Sequence, residues 1–349
     1  MNTLDKILIE MLQKGGSDLH LAVNAVPKIR IDGEIFPLGD QAIDAVTLEK
    51  MLRDVTPANR WAIFEERNDA DLAYEIPGQA RFRMNLFRNS HGVATVLRQI
   101  PSRIASIDEL GLPQALKEVA SYSHGLVLVT GPTGNGKSTT LAAIINHINE
   151  NSQKQIVTLE DPVEFTHEDK RSTILHREVS EHTRSFARGL RGAIRADPDV
   201  ILIGEMRDME TIRLALNCAA MGTLVFATVH TNNATKTIDR IIDAFPAAEQ
   251  NQTRIMLADS LRGVISQLLC QKVDGGRIAV HEILLSHSSL PNSIRLGSLS
   301  NIRNIIEQNG DRGMISMDAS LTKLLNEGLI SKHEAYMKAI DKARFQVRD

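Results

Sequence analysis

The sequence predicts an α/β fold in three parts: a small α+β domain, a larger domain built on a parallel sheet, and a helical C-terminal region. Residues 114–285 carry this prediction, because short apolar runs typical of buried strands alternate there with segments of helical periodicity. At 349 residues the chain is also too long for one ordinary hydrophobic core. We therefore expect domains at 1–100 and 114–285, a hinge linker at 101–113 and a helical region at 286–349.

The first hundred residues predict helices mixed with antiparallel strands. An amphipathic helix is expected at Met1–Gln13, and Lys28–Ile31 alternates before a turn at Asp32-Gly33, which indicates a hairpin. One long helix is expected over Thr47–Arg67. Three further strands are expected at Asp71–Ile76, Ala80–Phe87 and Val93–Gln99. The linker Pro101 to Pro113 is bracketed by prolines and contains a glycine, so we expect a hinge there.

The larger domain is expected to contain a sheet with helices on both faces. Its predicted strands are Leu126–Val129, Gln155–Leu159, Val200–Ile203, Leu224–Val229 and Ile278–Leu284. Ligands of such sheets bind at the carboxyl ends of the strands. From Ser298 onward the pattern is helical.

A phosphate-binding loop follows the first of these strands. The segment reads Gly-Pro-Thr-Gly-Asn-Gly-Lys-Ser-Thr and fits the pattern G-x-x-x-x-G-K-[ST]. Its glycines let successive N–H groups surround a phosphate, while Lys137 is expected to reach the β- and γ-phosphates and Ser138 to ligate Mg²⁺. We therefore expect ATP and Mg²⁺ as cofactors. The expected binding residues are Gly131, Pro132, Thr133, Gly134, Asn135, Gly136, Lys137, Ser138 and Thr139.

Acidic residues follow two other predicted strands. Glu205 ends the run Val200 to Gly204, and we expect it to contact Mg²⁺ and polarise the attacking water, although Gly204 stands where an aspartate is usual. Asp161 is the candidate outer Mg²⁺ ligand and Glu164 the candidate general base. The alternatives are a solvated acid at a strand end for Glu205 and an acid cluster at a helix N-terminus for the other two.

A histidine follows the fourth predicted strand. His230 is placed to donate a hydrogen bond to the γ-phosphate, whereas a lone histidine often has only a structural role.

Composition limits the class of protein. A net charge of -3 gives no overall attraction to nucleic acid or anionic lipid, and there is no basic stripe with interleaved aromatics as in a DNA translocase. Two distant cysteines indicate neither disulfides nor a zinc site. No run approaches 18 apolar residues, and the first helix does not resemble a signal peptide. We expect a cytoplasmic protein without nucleic-acid partners or direct membrane insertion.

Together these segments resemble the secretion and pilus ATPase superfamily, and within it the PilT-type retraction ATPases of type IV pili. The resemblance rests on the phosphate loop, the acidic box Asp161 to Glu164, Gly204-Glu205 with Met206-Arg207-Asp208, and the run Thr228 to Arg240. The segments Ser17 to Leu21 and Arg81 to Asn85 extend it over essentially the whole chain.

The resemblance implies a homohexameric ATPase motor for pilus retraction and twitching motility. Each subunit would pair a PAS-like N-terminal domain with a RecA-like ATPase domain, with the nucleotide between them. It further implies that arginines of the N-terminal domain help complete the site. The matching positions are Arg81, Arg83 and Arg98, and Arg195 is another candidate. Without the resemblance, these arginines would be ordinary strand residues with solvated heads. The implied partners are an inner-membrane pilus platform protein, which would hold the motor at the membrane, and a paralogous motor ATPase.

Two positions depart from the family pattern, and alternatives therefore stay open. Thr223 replaces a histidine that usually follows Gly222, and Glu307 replaces an arginine at the end of the retraction signature, which here reads Asn301 to Glu307. One alternative is a pilus assembly or type II secretion ATPase, although such proteins usually carry a four-cysteine insert. The other is a non-hydrolysing ATP-binding subunit of a mixed ring.

Overall fold

The computed structural model describes residues 2–31, 33–100 and 103–346, which form two compact units. The first unit combines Met1–Arg103 with the short segment Pro162–Thr166. The second combines Ile104–Asp161 with His167–Asp349. The chain therefore leaves the second unit once, for five residues, and returns to it.

The first unit is an antiparallel sheet with helices. Its strands follow the spatial order β3-β2-β1-β6-β5-β4, and the buried side chains of Leu8, Leu52, Phe64 and Phe82 belong to one apolar core. The strands are β1 (Asp18–Ala22), β2 (Lys28–Ile31), β3 (Glu34–Pro37), β4 (Asp69–Ile76), β5 (Ala80–Asn89) and β6 (Gly92–Ile100). The helices are α1 (Thr3–Gln13), α2 (Ala45–Val55) and α3 (Ala58–Arg67).

The predicted hairpin is confirmed, since β2 and β3 pair antiparallel from Lys28↔Pro37 to Ile31↔Glu34. Asp32 of the predicted turn lies outside the described residues. The single long helix predicted over Thr47–Arg67 was wrong, because Pro57 divides it into α2 and α3. A residue before proline avoids helical geometry, and Thr56 is accordingly extended, with ψ 125°.

The second unit is a seven-stranded sheet covered by helices, in the order β13-β12-β7-β11-β10-β8-β9. All neighbouring pairs are parallel except β12 and β13, which are antiparallel, so the sheet is parallel with one reversed edge strand. The strands are β7 (Gly125–Thr130), β8 (Gln155–Glu160), β9 (Thr173–Glu178), β10 (Val200–Ile203), β11 (Leu224–Val229), β12 (Leu261–Gln271) and β13 (Arg277–Leu285).

Ten α-helices are described around this sheet within residues 103–346. They are α4 (Ala115–Ala120), α5 (Lys137–Asn151), α6 (Phe186–Ile194), α7 (Met209–Ala220), α8 (Ala234–Asp243), α9 (Ala247–Ser260), α10 (Leu290–Arg295), α11 (Leu299–Gln308), α12 (Met317–Asn326) and α13 (Lys332–Lys338). Every residue of β7, β10 and β11 is buried, which explains why their sequences are continuous apolar runs.

The structure also locates the predicted linker and the C-terminal region. Ile107 and Leu112 are buried in the core of the second unit, so residues 104–113 are part of that unit and do not form a free connection. Pro101 and Ser102 of the predicted hinge lie outside the described residues. In the C-terminal region, Met317 and Leu321 share an apolar cluster with Cys270 of β12. Among the described helices, none is both long and apolar enough to cross a membrane.

Candidate nucleotide site

The phosphate loop joins the end of β7 to the start of α5. Gly131, Gly134 and Gly136 have φ of 141°, 79° and 76°, a region that other residues avoid. No side chain caps the first turn of α5, which begins at Lys137. The N–H groups of that turn are therefore available to an anion, and the helix dipole favours negative charge there.

The Lys137 side chain folds back over this loop. Its ammonium donates hydrogen bonds to the carbonyl oxygens of Gly131 at 2.9 Å and Pro132 at 3.0 Å. These two carbonyls hold the charge beside the N–H groups of the loop. A phosphate bound by the loop would therefore meet the ammonium without a large movement of the side chain.

The residues around the loop fit a Mg²⁺ ion that is bound mainly by the nucleotide and has few protein ligands. No cluster of three or more histidine, cysteine, aspartate or glutamate side chains close enough to hold a metal occurs in the part of the chain that the structure describes. Ser138 offers one hydroxyl on the first turn of α5. Mg²⁺ in nucleotide sites takes few protein ligands and completes its shell with phosphate oxygens and water, so Ser138 fits that ion. Bound there, Mg²⁺ would neutralise charge on the β- and γ-phosphates.

The strand β12 supports the loop from the side away from solvent. The Gln267 amide donates from Nε2 to the carbonyl oxygen of Asn135 at 2.6 Å, and the Leu269 N–H donates to Asn135 Oδ1 at 2.8 Å. A Cβ added at Gly131 would approach the Gln267 carbonyl oxygen more closely than 3.0 Å. The loop therefore lies directly on β12, and glycine is required at position 131 for space as well as for φ.

Sequence reasoning overlooked Gln267 and its neighbour His281. Each is a polar residue inside a mostly apolar strand, β12 or β13, and both are buried. A buried polar residue must find hydrogen-bond partners, so this interruption of an apolar run was the signal available.

Glu205 and His230 meet at the carboxyl edge of the sheet. They follow the parallel neighbours β10 and β11, which brings Glu205 Oε1 within 2.9 Å of His230 Nε2. The same carboxylate accepts a hydrogen bond from the Arg207 guanidinium. That hydrogen bond is the main cause that raises the pKa of Arg207, and the charges of Glu205 and Asp161 add to it. The cluster thus places two carboxylates near one guanidinium and one imidazole.

Glu282 of β13 connects the start of α8 to the start of α12. Its buried carboxylate accepts a hydrogen bond from the N–H of Ala234 at 2.8 Å, at the start of α8, and another from the N–H of Met317, at the start of α12. Burial raises the pKa of Glu282. The beginning of α8, four residues after His230, is therefore tied through β13 to the C-terminal helices.

Four of the other residues predicted from sequence lie in the first unit, namely Arg81, Arg83, Arg98 and Glu164. Arg81, Arg83 and Arg98 share one face of its sheet, because Arg83 and Arg98 are directly opposite in the β5–β6 pairing. Arg83 lies 3.8 Å from the Glu164 carboxylate and 3.5 Å from that of Asp71. Arg81 donates to the Thr166 hydroxyl. Glu164 thus belongs to the same unit as these arginines, through the segment Pro162–Thr166.

Arg98 and Arg195, two of the predicted arginines, have partners or positions unrelated to the phosphate loop of the same chain. Arg98 forms an ion pair with Asp18 at 2.7 Å. Arg195 is the exposed C-cap residue of α6, and the chain runs from it into the start of β10. It therefore lies at the amino edge of the sheet, whereas the phosphate loop is at the carboxyl edge. Within one chain the structure does not bring Arg195 to the loop.

Comparison with known proteins identifies relatives along the whole chain. The family model described as "Type II/IV secretion system protein" matches residues 1–277. The chain is 44% identical over 336 residues to the "Type IV pilus retractation ATPase PilT" of Pseudomonas aeruginosa, covering 96% of this chain and 98% of the relative. It is 46% identical over 314 residues to the "Twitching motility protein" of Neisseria gonorrhoeae, covering 90% and 84%. The crystal structure of the pilus retraction motor PilT with bound ADP superposes with a TM-score of 0.91 at 40% identity, covering 99% of this chain and 98% of that one.

Proposed function

The chain belongs to the family of type II/IV secretion system proteins, and we propose that it is an ATP-hydrolysing motor that drives retraction of a type IV pilus. The observation that carries the proposal is the pairing of a complete phosphate loop with the Glu205–His230 contact at the same edge of one sheet. The relatives at 44% and 46% identity are named for retraction and twitching, which supports this direction of force.

Each residue of the site has a distinct part in the proposed reaction. The loop and Lys137 bind the β- and γ-phosphates, and Ser138 is the protein ligand of Mg²⁺. Glu205 orients the attacking water, while His230 and Arg207 both contact its Oε1 and hold the carboxylate in place. Because the reaction is mostly positioning and charge stabilisation, a rigid carboxylate lowers the barrier more than a mobile one.

The remaining predicted residues supply further charges to the proposed site. Asp161 contributes charge near Arg207, and we assign it as an outer ligand of Mg²⁺. We assign Glu164 as the general base, and its neighbours Arg81 and Arg83 would balance phosphate charge. Arg98 would do so only if its ion pair with Asp18 opened, and Arg195 only toward the site of a neighbouring subunit.

We further propose that six copies form a closed ring that acts on a platform protein at the inner membrane. A site completed by residues of a neighbour needs a head-to-tail interface, and such an interface forms a ring when the rotation between subunits closes. Partner proteins are expected to confer the membrane location. A paralogous motor ATPase is a further proposed partner.

The enzymatic part is tested by comparing Lys137→Ala with Glu205→Gln. Lys137→Ala removes a phosphate contact, so nucleotide binding should weaken. Glu205→Gln should leave binding nearly intact and lower kcat at least about 100-fold, because the lost interaction belongs mainly to the transition state. Glu210→Gln is the matched control, since Glu210 is paired with Arg191 on the surface of α7. Unchanged turnover in Glu205→Gln would refute the assignment.

The direction of force is tested in cells that make pili. Deleting the gene should leave excess pili that do not retract, and Glu205→Gln should fail to restore retraction although it still binds ATP. Loss of pili after deletion would instead identify an assembly motor. A wild-type protein that binds ATP without hydrolysing it would identify a regulatory subunit.

A further inference from the structure

The phosphate loop packs against β12, a strand that extends beyond the end of its neighbour β7. The last residue pair between β7 and β12 is Thr130↔Ser266, where the two hydroxyls are 2.9 Å apart. β12 continues to Gln271 and passes beneath the phosphate loop. The shape of the loop therefore depends on what fixes the residues just after Ser266.

The Gln267 amide is fixed by hydrogen bonds on both of its ends. Its Nε2 donates to the carbonyl oxygen of Asn135, as described above. Its Oε1 accepts from the Thr140 hydroxyl at 2.7 Å and lies 3.0 Å from His281 Nε2. An amide oxygen can only accept, so His281 must carry its proton on Nε2. Both lone pairs of Oε1 are then used, and the amide cannot turn over without losing these contacts.

His281 is suited to act as a permanent neutral donor. It stands directly opposite Gln267 in the antiparallel pairing of β12 and β13, and it is 3% exposed. Burial lowers its pKa to about 4, so the ring is uncharged at neutral pH.

We propose that His281 is a positioning residue for nucleotide binding, which acts through Gln267 to hold the Asn135 peptide of the phosphate loop. When this peptide is held, the neighbouring N–H groups stay directed at the phosphate. The inference deepens the proposed function and rests on its nucleotide-binding step. It requires neither pilus retraction nor a contact between His281 and the nucleotide.

The expected kinetic signature differs from that of Glu205. A loop that loses its support binds the ground state and the transition state less well to a similar degree. His281→Phe should therefore raise KM and the dissociation constant roughly 10-fold while kcat changes less than about 2-fold. His281→Gln keeps an N–H donor and should restore most of the affinity. His333→Phe, on the exposed surface of α13, is the control for removing a histidine.

The test is a titration of the full-length protein with a fluorescent ADP analogue and Mg²⁺. It uses His281→Phe, Gln267→Met and the double variant. If His281 acts through Gln267, the double variant should bind no more weakly than Gln267→Met alone, so the effects should not add. Additive effects, or wild-type affinity in folded His281→Phe, would overturn the proposal. Should His281→Phe not fold, His281→Leu removes the same N–H donor with a smaller side chain and takes its place in the comparison. Wild-type protein that failed to bind the analogue would refute the proposed function itself, and that outcome is distinct from the others.

Discussion

Replacing Gly131 by alanine is the sharpest test of the loop geometry. The added Cβ would lie within 3.0 Å of the Gln267 carbonyl oxygen, a backbone atom that cannot turn aside, and φ at this position is 141°. Such a φ costs a non-glycine residue about 1–2 kcal/mol, and overpacking against a fixed neighbour costs about 1–3 kcal/mol. We therefore expect Gly131→Ala to lower the free energy of unfolding of the second unit by roughly 2–5 kcal/mol.

Gly134 provides a matched control in the same loop. Its φ is also positive, at 79°, but nothing lies within 4 Å of an added Cβ. Gly134→Ala should therefore cost only the conformational term of about 1 kcal/mol. The difference between the two variants isolates the contact with β12.

The assay is thermal unfolding without nucleotide, followed by circular dichroism. At about 3 °C per kcal/mol for a unit of this size, Gly131→Ala should lower the melting temperature by roughly 10 °C and Gly134→Ala by roughly 3 °C. Trp61, the single tryptophan, lies in the first unit, so its fluorescence serves as an internal reference. Equal shifts in the two variants would refute the close approach of loop and strand.

Three further predictions address other parts of the molecule. Burial lowers the pKa of His167 to about 4, with smaller effects from the charges of His176 and Lys170, so this residue should lower stability by up to about 3 kcal/mol as pH drops from 6.5 to 4. His167→Phe should remove this part of the slope in unfolding experiments from pH 4 to 7, while buried His281, whose pKa is also about 4, keeps its own part. His230→Phe should lower kcat about 10- to 100-fold and change nucleotide affinity less than about 2-fold. The reason is that the substitution removes a contact of Glu205 and none of the phosphate loop. A change in affinity without a change in kcat would contradict this. Light scattering should give a mass near six times 38.6 kDa, with activity per chain falling on dilution; a fully active monomer would exclude the ring.

Local sequence patterns predicted the parts of the fold that have strong local signals. The apolar runs that became β7, β10 and β11 are buried throughout, so their character is visible in any short window. The edge strand β9 was missed because it is only partly buried and contains polar residues at most positions. β12 was missed because α9 runs into it without a turn, leaving no boundary in the sequence.

In the candidate site too, residues in local motifs could be predicted, whereas contacts between distant segments could not. The phosphate loop is a contiguous motif, and Glu205 and His230 each follow a buried strand, so all three could be predicted from the chain alone. Which groups contact which carboxylate could not. His230 meets Glu205 only because β10 and β11 are neighbours, and Arg83 meets Glu164 only because the segment Pro162–Thr166 belongs to the first unit. Arg195 lies at the opposite edge of the sheet from the loop of its own chain, because helix α6 ends there, and its catalytic role stays a prediction.

The dependence of the phosphate loop on β12 has an evolutionary consequence. Asn135 and the amide that holds its peptide are separated by 132 positions in the chain. The nine-residue motif is thus only one part of a structural unit whose other part is encoded much later in the gene. Recombination that exchanged the loop without Gln267 and His281 would preserve a perfect match to the motif while removing its support. We expect the two segments to be inherited together, and to vary together where they vary at all.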